Sequence, residues 1–134
     1  MPLFQRLIMR EKFVIPKTEN RDLCKNLSHS EFKCKCANED CTFTLVDPKL
    51  LVAFQKLRGD WGSPISISSG YRCQKHNASQ AVNGSNGSKH KLGSALDMTP
   101  KHGDLEQFHE YVKKYFKWTK IYKEQNFVHG DVRE

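Results

Sequence analysis

Residues 88–97 have the sequence SKHKLGSALD, and this stretch decides which fold the chain is expected to adopt. Six residues separate His90 from Asp97, and most of them are small or apolar. Gly93 allows the backbone to turn after the histidine. The segment SALDM that follows has the alternation of a strand, so it can return the Asp97 carboxylate to the point where the histidine side chain lies.

A second histidine of interest lies in a strand-like segment near the end of the sequence, FVHGDVRE. Four residues of this strand share one face: Phe127, His129, Asp131 and Arg133. With the pair above, His129 completes a set of two imidazoles and one carboxylate. Such a set holds a catalytic zinc ion and leaves a fourth position for water. Single histidines are more often structural, so the spacing alone makes these three side chains candidate ligands and no more.

The composition is that of a folded protein with a basic surface. The chain has 134 residues, enough for one domain, with 37% hydrophobic and 28% charged residues. A formal net charge of +7 favours an anionic partner such as nucleic acid, a lipid surface or an acidic cell-wall polymer, unless it reflects only a solvated lysine-rich surface. The lysines are scattered and not interleaved with aromatic residues, which argues against nucleic acid.

The sequence predicts neither insertion into a membrane nor secretion. No apolar run approaches membrane-spanning length, so no membrane insertion is expected. The first residues, MPLFQRLIMREKF, carry charges throughout and contain no small-residue cleavage site. We therefore expect no secretory signal and synthesis in the cytoplasm.

Five cysteines leave three interpretations open. Cys34, Cys36 and Cys41 form a C-x-C-x4-C pattern, whereas Cys24 and Cys73 lie apart. This spacing is not a strong zinc-ligand pattern. The alternatives are buried free thiols, one or two disulfides, or a structural metal, and free thiols are the expectation for a reducing compartment.

The secondary-structure signals predict an α+β domain. Residues 1–45 look irregular apart from a helix start at LSHSEFKC, and residues 46–134 are expected to form the core that carries the candidate ligands, which would be the catalytic core of an enzyme. One helix is expected from Asp47–Pro48 to Gly59 and another after Asp104. Strands are predicted at PISIS, SALDM, WTKIY and NFVHGDV, and NGSNGSK (83–89) is expected to be a loop. The elements show no regular βαβ alternation, which favours α+β over α/β.

Four motifs together resemble one known family. SGYR (69–72), HN (76–77), S-x-H-x-x-G-x-A-x-D (88–97) and FVHGDVR (127–133) are similar to the signature of the zinc D-alanyl-D-alanine carboxypeptidases. That family includes phage endolysin peptidases that cut peptidoglycan, and its metal core is shared with the hedgehog signalling domain. The resemblance spans roughly residues 27–133. It implies a single domain in which a small antiparallel sheet is flanked by helices, as in hedgehog and the D,D-peptidases.

The resemblance also implies roles for individual residues. His90, Asp97 and His129 match the zinc ligands, which implies one Zn²⁺ per chain. Arg72 matches an arginine that faces the substrate's carboxyl or carbonyl groups, and the alternative is an ordinary surface ion pair. Ser88 matches a position near the substrate, and the alternative is a simple turn residue.

The general base is where the sequence departs from the family pattern. Many relatives have an Asp or Glu three residues before the last zinc histidine, and here that position is Asn126. A neutral amide cannot take a proton from water. Two carboxylates are candidate substitutes. Asp131 could act as base or orient the imidazole of His129, and Glu124 could reach the site from the preceding loop.

The function that the resemblance implies is metal-assisted hydrolysis of peptidoglycan stem peptides, at a bond involving D-alanine. The enzyme would be a D,D- or L,D-type carboxypeptidase or endopeptidase that acts as a monomer at the bacterial cell wall, as a phage or wall-remodelling protein. Its basic charge would hold it to anionic wall polymers. The first alternative is a zinc-containing module on the same fold that binds wall peptides or a protein without cutting. A nucleic-acid-binding protein with a cysteine knuckle is the second, but it leaves the His/Asp/His pattern unexplained.

Overall fold

A computed structural model describes residues 11–79, 84 and 87–134. Within those residues the strands are β1 (Phe13–Pro16), β2 (Asp22–Cys24), β3 (Leu27–Ser28), β4 (Phe43–Val46), β5 (Ile65–Ser69), β6 (Ala95–Pro100), β7 (Trp118–Tyr122) and β8 (Phe127–Asp131). The α-helices are α1 (His29–Phe32), α2 (Pro48–Trp61), α3 (Gln74–Ala78) and α4 (Leu105–Lys113), and a 3-10 helix covers Lys89–Leu92. The predicted α+β class is confirmed.

A four-stranded antiparallel sheet forms the centre of the fold, in the order β5-β6-β8-β7. Its register pairs Asp97 of β6 with His129 of β8 and with Ser69 of β5. Residues that are directly opposite in an antiparallel pair present their side chains on the same face, about 5 Å apart. Strand pairing alone therefore brings one predicted carboxylate beside one predicted histidine.

The opposite face of this sheet packs against α2 and α4. Alternation along β6 turns Leu96 and Met98 away from the Asp97 face, and both are completely buried. They join Val128 of β8 in the main hydrophobic core, which also contains apolar side chains from both helices, including Phe54 and Phe108. The sheet is thus apolar on one face and presents its polar side chains on the other.

The two long helices begin where the sequence predicts. The Asp47 side chain accepts a hydrogen bond from the backbone N–H of Lys49, and Pro48 is the first residue of α2. Asp104 caps α4 in the same way. The predicted end of α2 at Gly59 is wrong, because the helix continues to Trp61 and ends at Gly62, whose φ of 74° is left-handed. A glycine is tolerated inside a helix, but the left-handed residue after its end favours glycine strongly.

The segment before α2 contains more regular structure than the irregular chain expected there. β1 pairs with β4, β2 pairs with β3, and a capping box formed by Ser28 and Glu31 starts α1. These elements are two to four residues long, too short for hydrophobic periodicity to reveal them. The buried His29 stabilises the segment through hydrogen bonds to the carbonyl of Glu19 (2.6 Å) and to the hydroxyl of Thr44 (2.7 Å). Of the predicted 83–89 loop, residues 83, 85 and 86 lie outside the described residues.

Gly93 links this fold to the turn predicted from SKHKLGSALD. It follows the 3-10 helix with a φ of 69°, and its carbonyl accepts a hydrogen bond from the backbone N–H of Asp47. A Cβ at this position would run into the backbone of Leu45. Both the left-handed conformation and the close approach of another strand therefore require glycine here.

Replacement of Gly93 by alanine should destabilise the protein more than the same change at Gly62. Both residues are left-handed, which costs alanine roughly 1–2 kcal/mol. Nothing lies within 4 Å of the Cβ position at Gly62, so Gly62→Ala should show that conformational cost alone. Gly93→Ala should lose a further ~1–3 kcal/mol from overpacking. Urea unfolding monitored by circular dichroism measures both, and equal losses would contradict the packing argument.

Candidate metal centre

The three predicted ligands converge on one point. They are His90 of the 3-10 helix, Asp97 of β6 and His129 of β8. His90 Nε2 lies 3.2 Å from Asp97 Oδ1, and His129 Nδ1 lies 3.0 Å from the same oxygen. One ligand atom from each residue falls within 4.8 Å of the others. His90 and Asp97 are buried and His129 is nearly so. The fold therefore brings together three side chains that are separated in the sequence.

The hydrogen bond on the far side of His90 fixes which of its nitrogens faces the other two ligands. His90 Nδ1 lies 2.7 Å from the carbonyl oxygen of Gly70. A carbonyl oxygen only accepts hydrogen bonds, so Nδ1 must carry a proton and donate it. In the neutral ring, Nε2 then presents a lone pair toward Asp97.

His129 is oriented by a carboxylate in the same manner. Its Nε2 lies 2.9 Å from Asp131 Oδ2. Burial would raise the pKa of Asp131, but hydrogen bonds from Arg133 and His129 outweigh it and hold the pKa below its usual value. The ionised carboxylate accepts a hydrogen bond from Nε2–H, so in the neutral ring the lone pair of His129 Nδ1 is directed at Asp97.

If both imidazoles are neutral, three lone-pair atoms face one another, and these atoms need a proton or another cation between them. Burial would raise the pKa of Asp97, but its hydrogen bonds with His129 and His90 hold the pKa well below its usual value, so this carboxylate is ionised. Burial would lower the pKa of His129, and its bonds to Asp97 and Asp131 outweigh that and raise the pKa. A bound proton or a metal ion would relieve the repulsion. Two imidazole nitrogens and one carboxylate oxygen are the donor set of a three-ligand zinc site, so the residues fit zinc.

Arg72 fixes the second oxygen of the Asp97 carboxylate. Its Nη2 donates to Asp97 Oδ2 at 3.1 Å, its Nε donates to Ser69 Oγ at 2.9 Å, and its Nη1 donates to Asn77 Oδ1 at 3.3 Å. The side chain is only 15% exposed. The ion pair named as the alternative for Arg72 thus exists, but it is largely buried and leaves Asp97 Oδ1 as the oxygen that faces the two imidazoles.

The three converging side chains form one wall of an open cavity of about 480 Å³. Arg72 and Ser88, both predicted to lie near a substrate, also line it. The Ser88 hydroxyl accepts a hydrogen bond from the backbone N–H of His90 at 3.3 Å and so caps the 3-10 helix. Ser88 is therefore a turn residue as well as a residue of the cavity.

A comparison with protein families identifies the family whose members carry this arrangement. The family model described as peptidase M15 matches residues 25–131, most of the chain. The chain belongs to the peptidase M15 family. It is therefore a metallopeptidase of a zinc-dependent family, and the resemblance found in its sequence motifs is confirmed. No curated protein and no solved structure matches the chain. Within the described residues, no helix has the length and apolar character that crossing a membrane requires.

The structure separates the two candidate bases of this M15 peptidase. Asp131 is completely buried, and Arg133 occupies its oxygens from the solvent side, with Nε 2.8 Å from Oδ1 and Nη2 2.6 Å from Oδ2. Glu124 is exposed in the turn between β7 and β8 and is not among the residues that line the cavity. The structure thus brings Asp131 to the histidine and leaves Glu124 outside.

Aromatic residues of β7 and β8 line the same cavity, and of these only Phe127 was singled out from the sequence. The Trp118 ring lies 5.5 Å from the ring of His129, centre to centre, and the guanidinium of Arg133 lies 4.4 Å from the Trp118 ring centre. Tyr122 and Phe127 stack at 4.5 Å. Alternation along two adjacent strands that share a face with His129 was the available signal.

Replacing Asp131 by asparagine should weaken zinc binding at the triad by about 10–100-fold, because a neutral amide oxygen holds the His129 Nε2–H bond less strongly than an ionised carboxylate does. Competition against a chromophoric chelator measures the affinity. Zinc that stays bound in His90→Ala is subtracted, so that only zinc at the triad is counted. Asp104→Asn is the matched control, since asparagine caps a helix as well as aspartate does. An Asp131→Asn variant that binds zinc as tightly as the unmodified protein would show that Asp131 does not orient the ligand.

Proposed function

We propose that this M15 metallopeptidase hydrolyses peptidoglycan stem peptides, at a bond involving D-alanine. The observation that carries the proposal is the convergence of His90, Asp97 and His129 on one point in the wall of an open cavity. These three residues would hold one zinc ion. When bound there, zinc supplies a water whose pKa is lowered to about 7 and polarises the carbonyl under attack.

The charge of the cavity supports an anionic substrate group. Three cationic side chains line it, from Arg72, Lys89 and Arg133, and Asp97 is the only carboxylate among its described lining residues. Arg72 already binds Asp97 and Arg133 already binds Asp131, so of the three Lys89 is the cation with its charge left for a substrate carboxylate. Stem peptides end in such a carboxylate. Arg72 keeps the predicted role beside the substrate, and Ser88 offers its hydroxyl at the same wall.

Proton transfer is assigned to Glu124, and Asp131 is assigned a positioning role. Four donor contacts occupy the Asp131 carboxylate, three from Arg133 and one from His129, so it has no capacity left to accept a proton from water. Glu124 is exposed, and no donor from the described residues occupies its carboxylate. The stacked Tyr122 and Phe127 lie between Glu124 and His129 along the hairpin. Its role requires the β7–β8 turn to close over the substrate. The Glu124 carboxylate then takes a proton from the attacking water and passes it to the leaving amine.

The proposed site of action of the enzyme is the bacterial cell wall, where it acts as a monomer. Its net charge of +7 supports attraction to anionic wall polymers, which raises the local concentration of a small enzyme at its substrate. A phage lysis or entry protein and a wall-remodelling enzyme would both use this combination of charge and site.

A zinc-containing module that binds wall peptides without cutting them is the second candidate. The observation that favours it is Asn126 at the position where many relatives carry the base, together with the lack of a carboxylate other than Asp97 among the described cavity residues. On this reading the cavity would recognise the same peptides through its cationic and aromatic walls.

Glu124→Gln should lower kcat by about 10²–10⁴-fold while zinc content stays unchanged, because the amide cannot accept the proton. Release of D-alanine and of new amino groups from wall fragments measures turnover. Glu110→Gln, an exposed glutamate paired with Lys113 on α4, should leave turnover unchanged. Activity lost in Asp131→Asn should return at saturating zinc, whereas activity lost in Glu124→Gln should not.

Two outcomes would count against these assignments. Full turnover in Glu124→Gln would exclude Glu124 as the base. A folded, zinc-loaded protein that releases no product from wall fragments would exclude the peptidase proposal, and calorimetric binding of stem peptides by that sample would favour the binding module.

A further inference from the structure

Four cysteines that the His/Asp site does not use come together in the fold. Cys34 and Cys36 follow α1, Cys41 precedes β4, and Cys73 caps α3. Their sulfur atoms all lie within 4.8 Å of one another, although Cys73 is 37 residues from Cys36. The remaining cysteine, Cys24, is not part of this group.

The sulfur separations suit a tetrahedral metal. Four thiolates at the usual Zn–S distance of about 2.3 Å lie about 3.8 Å from each other. The Sγ atoms of Cys36 and Cys73 are 3.7 Å apart. All four cysteines are free thiols in the structure, so each sulfur is available as a ligand.

The surroundings of the cluster are those of thiolates. The backbone N–H of Cys73 donates to Cys34 Sγ at 3.4 Å, and the backbone N–H of His76 donates to Cys73 Sγ at 3.4 Å. The Lys17 ammonium lies 3.5 Å from Cys36 Sγ and also donates to the Cys36 carbonyl at 3.1 Å. A zinc ion with four thiolates carries a net charge of about −2, which these donors and the lysine would offset.

We propose that Cys34, Cys36, Cys41 and Cys73 bind a second zinc ion, which is structural. Four protein sulfurs complete a tetrahedron and leave no position for water or substrate, so this site is closed, unlike the three-ligand site at Asp97. The expected zinc content rises from one ion per chain to two. The C-x-C-x4-C spacing is a weak signal because the fourth ligand lies far along the chain.

The position of the cluster gives this second site a task. Residues 33–42 connect α1 to β4 with no helix or strand of their own, so no backbone ladder of regular structure holds them. Cys73 directly follows Arg72, whose guanidinium binds Asp97. A metal at the cysteines would therefore tie the 33–42 connection to the segment that carries Arg72.

The decisive experiment removes the first site and leaves the thiols untouched. The double variant His90→Ala/His129→Ala, purified under reducing conditions without chelator, should retain about one zinc ion per chain. X-ray absorption of that zinc should show four sulfur neighbours at about 2.3 Å. The unmodified protein should contain about twice as much zinc, with nitrogen and oxygen neighbours added to the sulfur signal.

Single cysteine variants supply the matched comparison. In the His90→Ala/His129→Ala background, Cys36→Ser and Cys73→Ser should each lose the remaining zinc, whereas Cys24→Ser should keep it. The absorption measurement needs no cysteine variant, so a failure of those variants to fold would leave the proposal testable. A double histidine variant without zinc, zinc neighbours other than sulfur, an iron ion in place of zinc, or a disulfide within the cluster by mass spectrometry would each overturn the proposal. None of these outcomes depends on whether the protein cuts peptidoglycan.

Discussion

The convergence of two imidazole lone pairs on a single oxygen of Asp97 is the constraint on which the rest of the site depends. Without a proton or a metal ion between them, these three atoms repel one another, and burial makes that repulsion stronger. The surrounding fold supplies what holds them together. The carbonyl of Gly70 fixes the proton on the far side of His90, and Asp131 does the same for His129. Arg72 holds the other Asp97 oxygen, so each ligand is restrained by a partner that is not itself a ligand.

Much of this arrangement was predictable from the sequence, because its signals are local. The caps Asp47 and Asp104 indicate the two long helices, and the alternation in SALDM and NFVHGDV indicates the strands. The positions of the three candidate ligands followed from motif resemblance, and antiparallel register then accounts for the closeness of Asp97 and His129. The M15 family match agrees with that resemblance over nearly the same residues.

The features that sequence did not predict depend on contacts between distant segments. Strand β1 is too short to show a period, and it forms because β4, well beyond it in the chain, pairs with it. The cysteine cluster needs Cys73 from beyond α2 to join three cysteines near residue 40. Asp131 and Glu124 look equivalent as candidate bases in the sequence, but Asp131 is buried and Glu124 is exposed to water.

The contact between Gly70 and Phe32 joins the hydrophobic core directly to the metal centre. A Cβ at Gly70 would lie 2.6 Å from the Phe32 carbonyl oxygen, and that same oxygen accepts the backbone N–H of Tyr71 at 2.8 Å. The carbonyl that orients His90 therefore rests on a completely buried phenylalanine in α1. In this protein the interior and the ligand sphere cannot be optimised separately: a designer who repacks the region around Phe32 is also adjusting the aim of an imidazole.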